Sequence, residues 1–198
     1  MENRRKYFES QANDWDKSFI AEDLEILSFL IDSFNIREGY KIADLGCGTG
    51  ILFDILRRRV GRSGLVIGVD FCSAMVQRAR INFPFENVVA IDADAEMLPL
   101  RSECVDAAIS FAAFAHFEHQ EMVMEEASRI LKKGGSFHII HLLSSTELET
   151  YHQNTGGPVA KDHIPPQEKM RELFKQGNFT NIKIHDHPGL YLAEGVKE

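Results

Sequence analysis

A doubly wound α/β fold, with a mostly parallel sheet and helices on both faces, is what this sequence predicts, and three observations predict it. Short apolar runs alternate with helix-length amphipathic stretches between residues 41 and 142, the pattern of repeated right-handed βαβ units. The first run, KIADL, passes directly into a glycine turn, GCGTG, that opens a helix. After two stretches rich in proline and glycine, two close strand-like segments end the chain, which adds an antiparallel hairpin at the sheet's C-terminal edge.

The elements follow in order. Residues 1–20 are polar with isolated aromatics, Tyr7, Phe8, Trp15 and Phe19, and read as a helical arm. Leu24, Ile26, Leu27, Leu30, Ile31 and Phe34 recur at helical spacing and predict a helix over 22–34. KIADL (41–45) is a buried strand, and Thr49–Arg59 a helix behind the glycines. LVIGVD (65–70) is a second strand, followed by a helix from Ser73 to Asn82 that a serine N-cap opens. NVVAID (87–92) and CVDAAIS (104–110) are the third and fourth strands. A helix over 120–131 ends at Lys132-Lys133-Gly134-Gly135, and SFHIIHL (136–142) is the fifth strand. Residues 143–165 read as an irregular insert, 167–176 as a helix, and Ile182–His187 with Leu190–Val196 as the hairpin around Pro188-Gly189.

The 198 residues suit one domain, 1–198, with a single sizeable core. A net charge of −8 disfavours a non-specific grip on nucleic acid or an anionic membrane. Cys47, Cys72 and Cys104 show no CxxC spacing and leave one thiol over in any pairing, so a reducing cytoplasm is the expected compartment. MENRRKYFES has no apolar stretch behind its basic residues, and no run approaches a membrane span. These features predict a soluble cytoplasmic protein.

In a doubly wound sheet, ligands bind beyond the carboxyl ends of the strands, where strand order reverses. Gly46, Gly48 and Gly50 fall there. Their spacing is GxGxG; the dinucleotide fingerprint GxGxxG would need its third glycine at position 51, which is Ile51. No GK[ST] follows, which excludes a P-loop. Asp44 stands two residues before the first glycine, where a carboxylate repels phosphate and suits an ammonium. The loop is suited to a zwitterion.

With these residues in place, the chain resembles a class I S-adenosylmethionine-dependent methyltransferase, of the group typified by the ubiquinone/menaquinone-biosynthesis enzymes. The resemblance spans roughly 36–142: the glycine loop, VIGVDFCSAM, IDADAEMLPL, VDAAIS and LKKGGSF occur in order. It implies a Rossmann-like fold, S-adenosylmethionine as cofactor and S-adenosylhomocysteine as product. It also implies roles. Gly46, Cys47, Gly48 and Gly50 would let the backbone reach the methionine moiety, and Asp44 would attract its amino group or hold the loop. Asp70 would accept both ribose hydroxyls, and Phe71 would lie against the adenine. Asp94 would accept from the adenine amine, with the backbone N–H of Ala95 donating to the ring. Ser110 and Phe111 would flank the methionine chain. Structural alternatives stay open: Asp70 and Asp94 as helix caps or turn residues, and Cys47 as a small buried side chain.

The acceptor is less legible. The segment after the fourth strand reads SFAAFAHF, not [DN]PP[FY], no Pro-Cys dipeptide occurs, and the cysteines expected for arsenite methylation are missing. A small-molecule acceptor is therefore expected, methylated by in-line displacement. Two other readings are an RNA or protein methyltransferase needing a partner subunit, and a non-catalytic cofactor-binding regulator. A homodimer is the self-association considered.

The acceptor would bind beyond the fourth and fifth strands, roofed by the arm and the 143–165 insert. Tyr7, Phe8 and Trp15 would screen the sulfonium from water, or simply pack. Histidines cluster here: His116 and His119, His138 and His141, His152 and His163. His138 and His141 point to opposite faces of the fifth strand. His141, nearer its carboxyl end, is the expected base or substrate-positioning group, with His116 and His152 near the substrate or lid. No metal is expected. The one donor set considered, His141, Glu147, Glu149 and His152, matches no recognised ligand spacing. Asp162 or His163 would touch substrate at the lid edge, ordinary loop polarity being the alternative.

Overall fold

The computed structural model describes residues 2–198. An arm comes first: α1 (Glu2–Gln11), a 3₁₀ turn at Trp15–Ser18, then α2 (Ala21–Ser33). The alternating part runs β1 (Lys41–Leu45), α3 (Phe53–Val60), β2 (Leu65–Asp70), α4 (Ser73–Asn82) and β3 (Val88–Asp92). It continues with β4 (Val105–Phe111), α5 (Gln120–Ile130) and β5 (Leu131–His141). Then come α6 (Ser145–Thr155), α7 (Gln167–Gln176), β6 (Phe179–His187) and β7 (Leu190–Lys197).

The seven strands form one sheet in the order β3-β2-β1-β4-β5-β7-β6. All pairings are parallel except those of β7, which runs antiparallel to both β5 and β6. The doubly wound, Rossmann-like expectation holds, and chain direction across the sheet reverses between β1 and β4. A crevice must open above those two strand ends, because the connections leave them on opposite faces.

Strand periodicity divides the core. Ile42, Val66, Ala107, Ile109 and Ile140 pack toward Leu27 and Ile31 of α2, Leu56 of α3 and Val76 of α4. Their neighbours in sequence, Ala43, Ile67, Ala108 and Ile139, pack toward Val123 and Ala127 of α5 and Leu173 of α7. Both faces of the central strands are covered, which is why those strands read as nearly continuous apolar runs.

Three expectations on the elements change. The 143–165 insert is not irregular throughout, because Ser144 and Glu147 build a capping box: the serine Oγ accepts from the Glu147 N–H at 3.3 Å, and the glutamate accepts from the Ser144 N–H at 2.8 Å. That box starts α6. The fifth strand begins at Leu131 instead of 136, with a register shift opposite Val105/Ala107. Behind the glycines, residues 49–52 are turn, so α3 starts only at Phe53.

Candidate active site

The floor of the crevice is the end of β1. Gly46 has φ +76°, and a Cβ there would stand 2.3 Å from the Ala113 Cβ. Only glycine lets the turn after β4 settle on this loop. Gly48 has φ +52°, and the Trp15 indole nitrogen lies 3.4 Å from where its Cβ would be. The arm therefore rests directly on the glycine loop. Asp16, the next residue, accepts a hydrogen bond from the Thr49 hydroxyl within that loop.

Asp44 is buried, and its Oδ2 has no hydrogen-bond partner. Burial, reinforced by the nearby Asp70 carboxylate, pushes its pKa up to about 8. Asp70 ends β2 and accepts from the Gly48 N–H (2.9 Å) through one oxygen and the Cys72 N–H (2.8 Å) through the other. Burial still pushes it up to about 6, against the lowering effect of those two bonds. Both N–H bonds leave each oxygen a second lone pair. Burial also pushes the Cys47 thiol well up, so this wall residue is not a thiolate nucleophile.

Phe71, Asp94, Phe111, Trp15 and His116 line the crevice, as the sequence suggested. Asp94 also accepts from the Glu96 N–H at 2.9 Å, the turn role considered as its alternative. Ala95 and Ser110 lie buried and are not among the lining residues; the Ser110 Oγ has no partner. Tyr7 packs edge-on against Phe8, ring centroids 5.2 Å apart, and does not line the crevice either. Phe8 does, touching Trp15, Phe71 and His116 edge-on.

Arg4, Glu96, Phe117 and Glu118 are among the lining residues that the sequence analysis did not assign to the site. Arg4 stands in the basic run NRRK of α1. It donates to the His116 carbonyl and, at 2.6 Å, to Asp162. Asp162 accepts from the His116 Nδ1 at 2.7 Å with its other oxygen. Arm, post-β4 turn and insert thus meet at one carboxylate, and no local pattern in sequence announces a contact across 158 positions.

His141 requires correction. It does face opposite to His138, which stacks on Phe34, the residue that caps the end of α2. Yet His141 is buried beside Tyr191, its register partner on β7, and does not line the crevice. Its Nε2 has no partner, and burial, with His116 and His152 adding repulsion, pushes its pKa down to about 3. His152 is also buried, donating from Nδ1 to the Asp162 carbonyl at 2.7 Å, whereas His119 and His163 are exposed. The donor set His141, Glu147, Glu149 and His152 does not converge. Glu147 is occupied by Ser144 and the Gly189 N–H, and exposed Glu149 accepts from Gln153. Among the described residues no group of three His, Cys, Asp or Glu side chains could hold a metal.

The crevice spans about 870 Å³, counting the space open to solvent. Asp44, Asp70, Asp94 and Glu96 line it, and the Arg4 guanidinium is already paired. A ligand carrying positive charge satisfies this lining, and the orphaned Asp44 oxygen specifically lacks a donor. A sulfonium amino acid joined to a nucleoside meets those demands.

Comparison with known proteins agrees. A family model described as a methyltransferase domain matches residues 43–139. The chain is 25% identical over 189 residues to the demethylmenaquinone methyltransferase of Staphylococcus saprophyticus, covering 81% of this chain and 78% of that one. It is 34% identical over 111 residues to an uncharacterized 37.1 kDa protein in transposon TN4556 of Streptomyces fradiae, covering 54% of this chain and 32% of that relative's length. Among solved structures, a complex between the Haloferax volcanii Trm112 methyltransferase activator and a methyltransferase superposes with a TM-score of 0.79 at 22% identity, covering 96% of each chain. That last likeness is one of fold. No described helix is long and apolar enough to cross a membrane. With a glycine loop over an unpaired carboxylate, a β2-terminal aspartate and this matched domain, the chain belongs to the class I S-adenosylmethionine-dependent methyltransferases, enzymes whose cofactor is S-adenosylmethionine.

Proposed function

We propose that the enzyme methylates a small-molecule acceptor by in-line displacement. The observation that carries this is the aromatic and acidic lining of the crevice. Phe8 and Trp15 of the arm roof it, Phe111 and Phe117 wall it, and acidic side chains dominate its polar groups. Such a site admits a compact neutral molecule and repels a polyanion.

When bound, S-adenosylmethionine supplies a methyl group already activated on sulfur. The chain's part is to orient, to exclude water and to manage a proton. Asp44 would take the cofactor's ammonium on its unpaired oxygen, with Gly46, Cys47, Gly48 and Gly50 admitting the backbone close to the methionine end. The second lone pairs of Asp70 would accept the ribose hydroxyls. Phe71 would lie against the adenine, with Asp94 accepting from its amine and Ala95 donating its N–H. Ser110 and Phe111 would flank the methionine chain.

The test is transfer of a radiolabelled methyl group by the full chain into separated small-metabolite, protein and RNA fractions. Label in the metabolite fraction is expected; label confined to RNA or protein overturns the small-molecule assignment. One observation favours the second reading, a macromolecular acceptor reached with a helper subunit: the Haloferax volcanii methyltransferase of the same fold was solved with an activator bound.

A further inference from the structure

Resting on the methyl-transfer reading, we propose that His116, fixed by Asp162, is the base that deprotonates the acceptor, and that the acceptor is a small aromatic hydroxyl compound. His116 ends the 3₁₀ turn that follows Ala113, the residue packed over Gly46, and its side chain lines the same crevice. A carboxylate can only accept, so the 2.7 Å contact with Asp162 places the proton on Nδ1 and the lone pair on Nε2. Among the described residues the ring makes its hydrogen bond through Nδ1 to Asp162, and the side chain, 14% exposed, belongs to the crevice wall.

The carboxylate is itself held. Asp162 is 5% exposed on its side chain and accepts from Arg4 at 2.6 Å, while its backbone carbonyl fixes His152, whose ring lies 4.8 Å from that of His116. Arg4 also donates to the His116 carbonyl. The arm is thus tied to both members of the dyad through Arg4. Among the described residues the charged and titratable groups about His116 include Asp162, Arg4, His152 and His141, with Glu118 in the same crevice lining.

The walls name the acceptor's body. Phe8 meets His116 edge-on at 5.2 Å, and Phe117 adds a second aromatic wall that suits a flat ring. The acidic lining disfavours an acceptor that arrives as an anion, so its hydroxyl proton has to leave within the site. In the transfer, the hydroxyl oxygen forms the new bond to the methyl carbon. The carbon–sulfur bond breaks with its electron pair staying on sulfur, and the hydroxyl proton passes to His116 Nε2. The resulting imidazolium is stabilised by Asp162 and returns its proton to solvent when the arm lifts.

Two readouts test this without turnover. In the full chain saturated with S-adenosylhomocysteine, two-bond ¹H–¹⁵N NMR should show His116 as the Nδ1–H tautomer, and Asp162→Asn should abolish that preference. An Nε2–H tautomer in the unsubstituted chain overturns the proposal. In the second, 4-nitrophenol is titrated into the same complex below the phenol's own pKa and the phenolate absorbance is read. The unsubstituted chain should raise the phenolate fraction, and His116→Asn, whose amide can still donate to Asp162, should lower it at least tenfold. No phenolate band with the unsubstituted chain, or an unchanged band with His116→Asn, overturns the base assignment. Failure of S-adenosylhomocysteine to bind at all sinks the methyl-transfer reading instead, so the two failures are distinguishable.

Discussion

Asp44 and Gly46 are two positions apart on the same strand end, and each forgoes stability for the ligand. For Asp44 the pH dependence follows from its raised pKa. The folded chain keeps the carboxyl protonated up to about pH 8, whereas the unfolded chain releases the proton near pH 4. The folded state thus binds more protons between those values, and the stability contributed by Asp44 is full at pH 4 and lost as pH rises toward 8. In the cofactor-free chain, Asp44→Asn should melt several degrees higher at pH 8, with the gap closing near pH 4, as thermal scans across that range would show. The same substitution should weaken S-adenosylhomocysteine binding by tenfold or more, read by calorimetry. Stabilisation with undiminished affinity would remove Asp44 from the cofactor site. Gly46→Ala meets two obstacles, a left-handed backbone and the Ala113 Cβ, which together should cost about 2–4 kcal/mol. Adding Ala113→Gly should recover roughly the steric half of that loss in denaturant melts; no recovery would mean the turn does not pack on the loop.

Among elements, α6 shows how a short signal decides a segment. Its capping box satisfies backbone donors at the helix start, and Glu147 reaches on to the Gly189 N–H in the β6–β7 turn at 2.9 Å. Ser144→Ala should cost ~1 kcal/mol, a fall of about 2–4 °C in melting temperature for a chain of this size. A change within error would show the box to be redundant with the contacts of Ser145 to Asp186. The Ser-x-x-Glu pattern was present in the sequence, and composition around it, rich in turn residues further on, obscured it. The strands were more legible, because burial on both faces leaves a continuous apolar signature in KIADL and LVIGVD. The site divided along the same line. Asp44, Gly46, Gly48 and Asp70, which line the crevice, are local to strand ends, where a short pattern marks them, whereas strand parity gives the face of His141 but not what covers it. His116 emerged as the crevice histidine only because Asp162, remote in sequence, folds over it.

At the scale of the molecule, the arm is joined to the site by contacts that would not form without it. Phe8 inserts among Trp15, Phe71 and His116, Arg4 holds Asp162, and Asp16 holds the glycine loop. The arm packs in a small cluster of its own, Phe8 and Ala12 against Cys72, Met75 and Val159, separate from the two main cores, so arm opening should need only a local free energy below that of global unfolding. Trp15 is the single tryptophan in the chain and stands over Gly48, which makes its fluorescence a direct report of closure. S-adenosylhomocysteine should change the emission saturably, with a midpoint equal to the calorimetric dissociation constant, and NAD should leave it unchanged. It should also slow tryptic cleavage at Arg5 and Lys17 by tenfold or more, since ligand binding selects the closed arm. Arg4→Ala removes the latch but none of the groups assigned to cofactor contact. It should speed that cleavage while leaving the glycine loop able to bind. Unchanged cleavage with the ligand bound would mean that the arm is a fixed wall, and that the dyad at His116 is complete with or without cofactor.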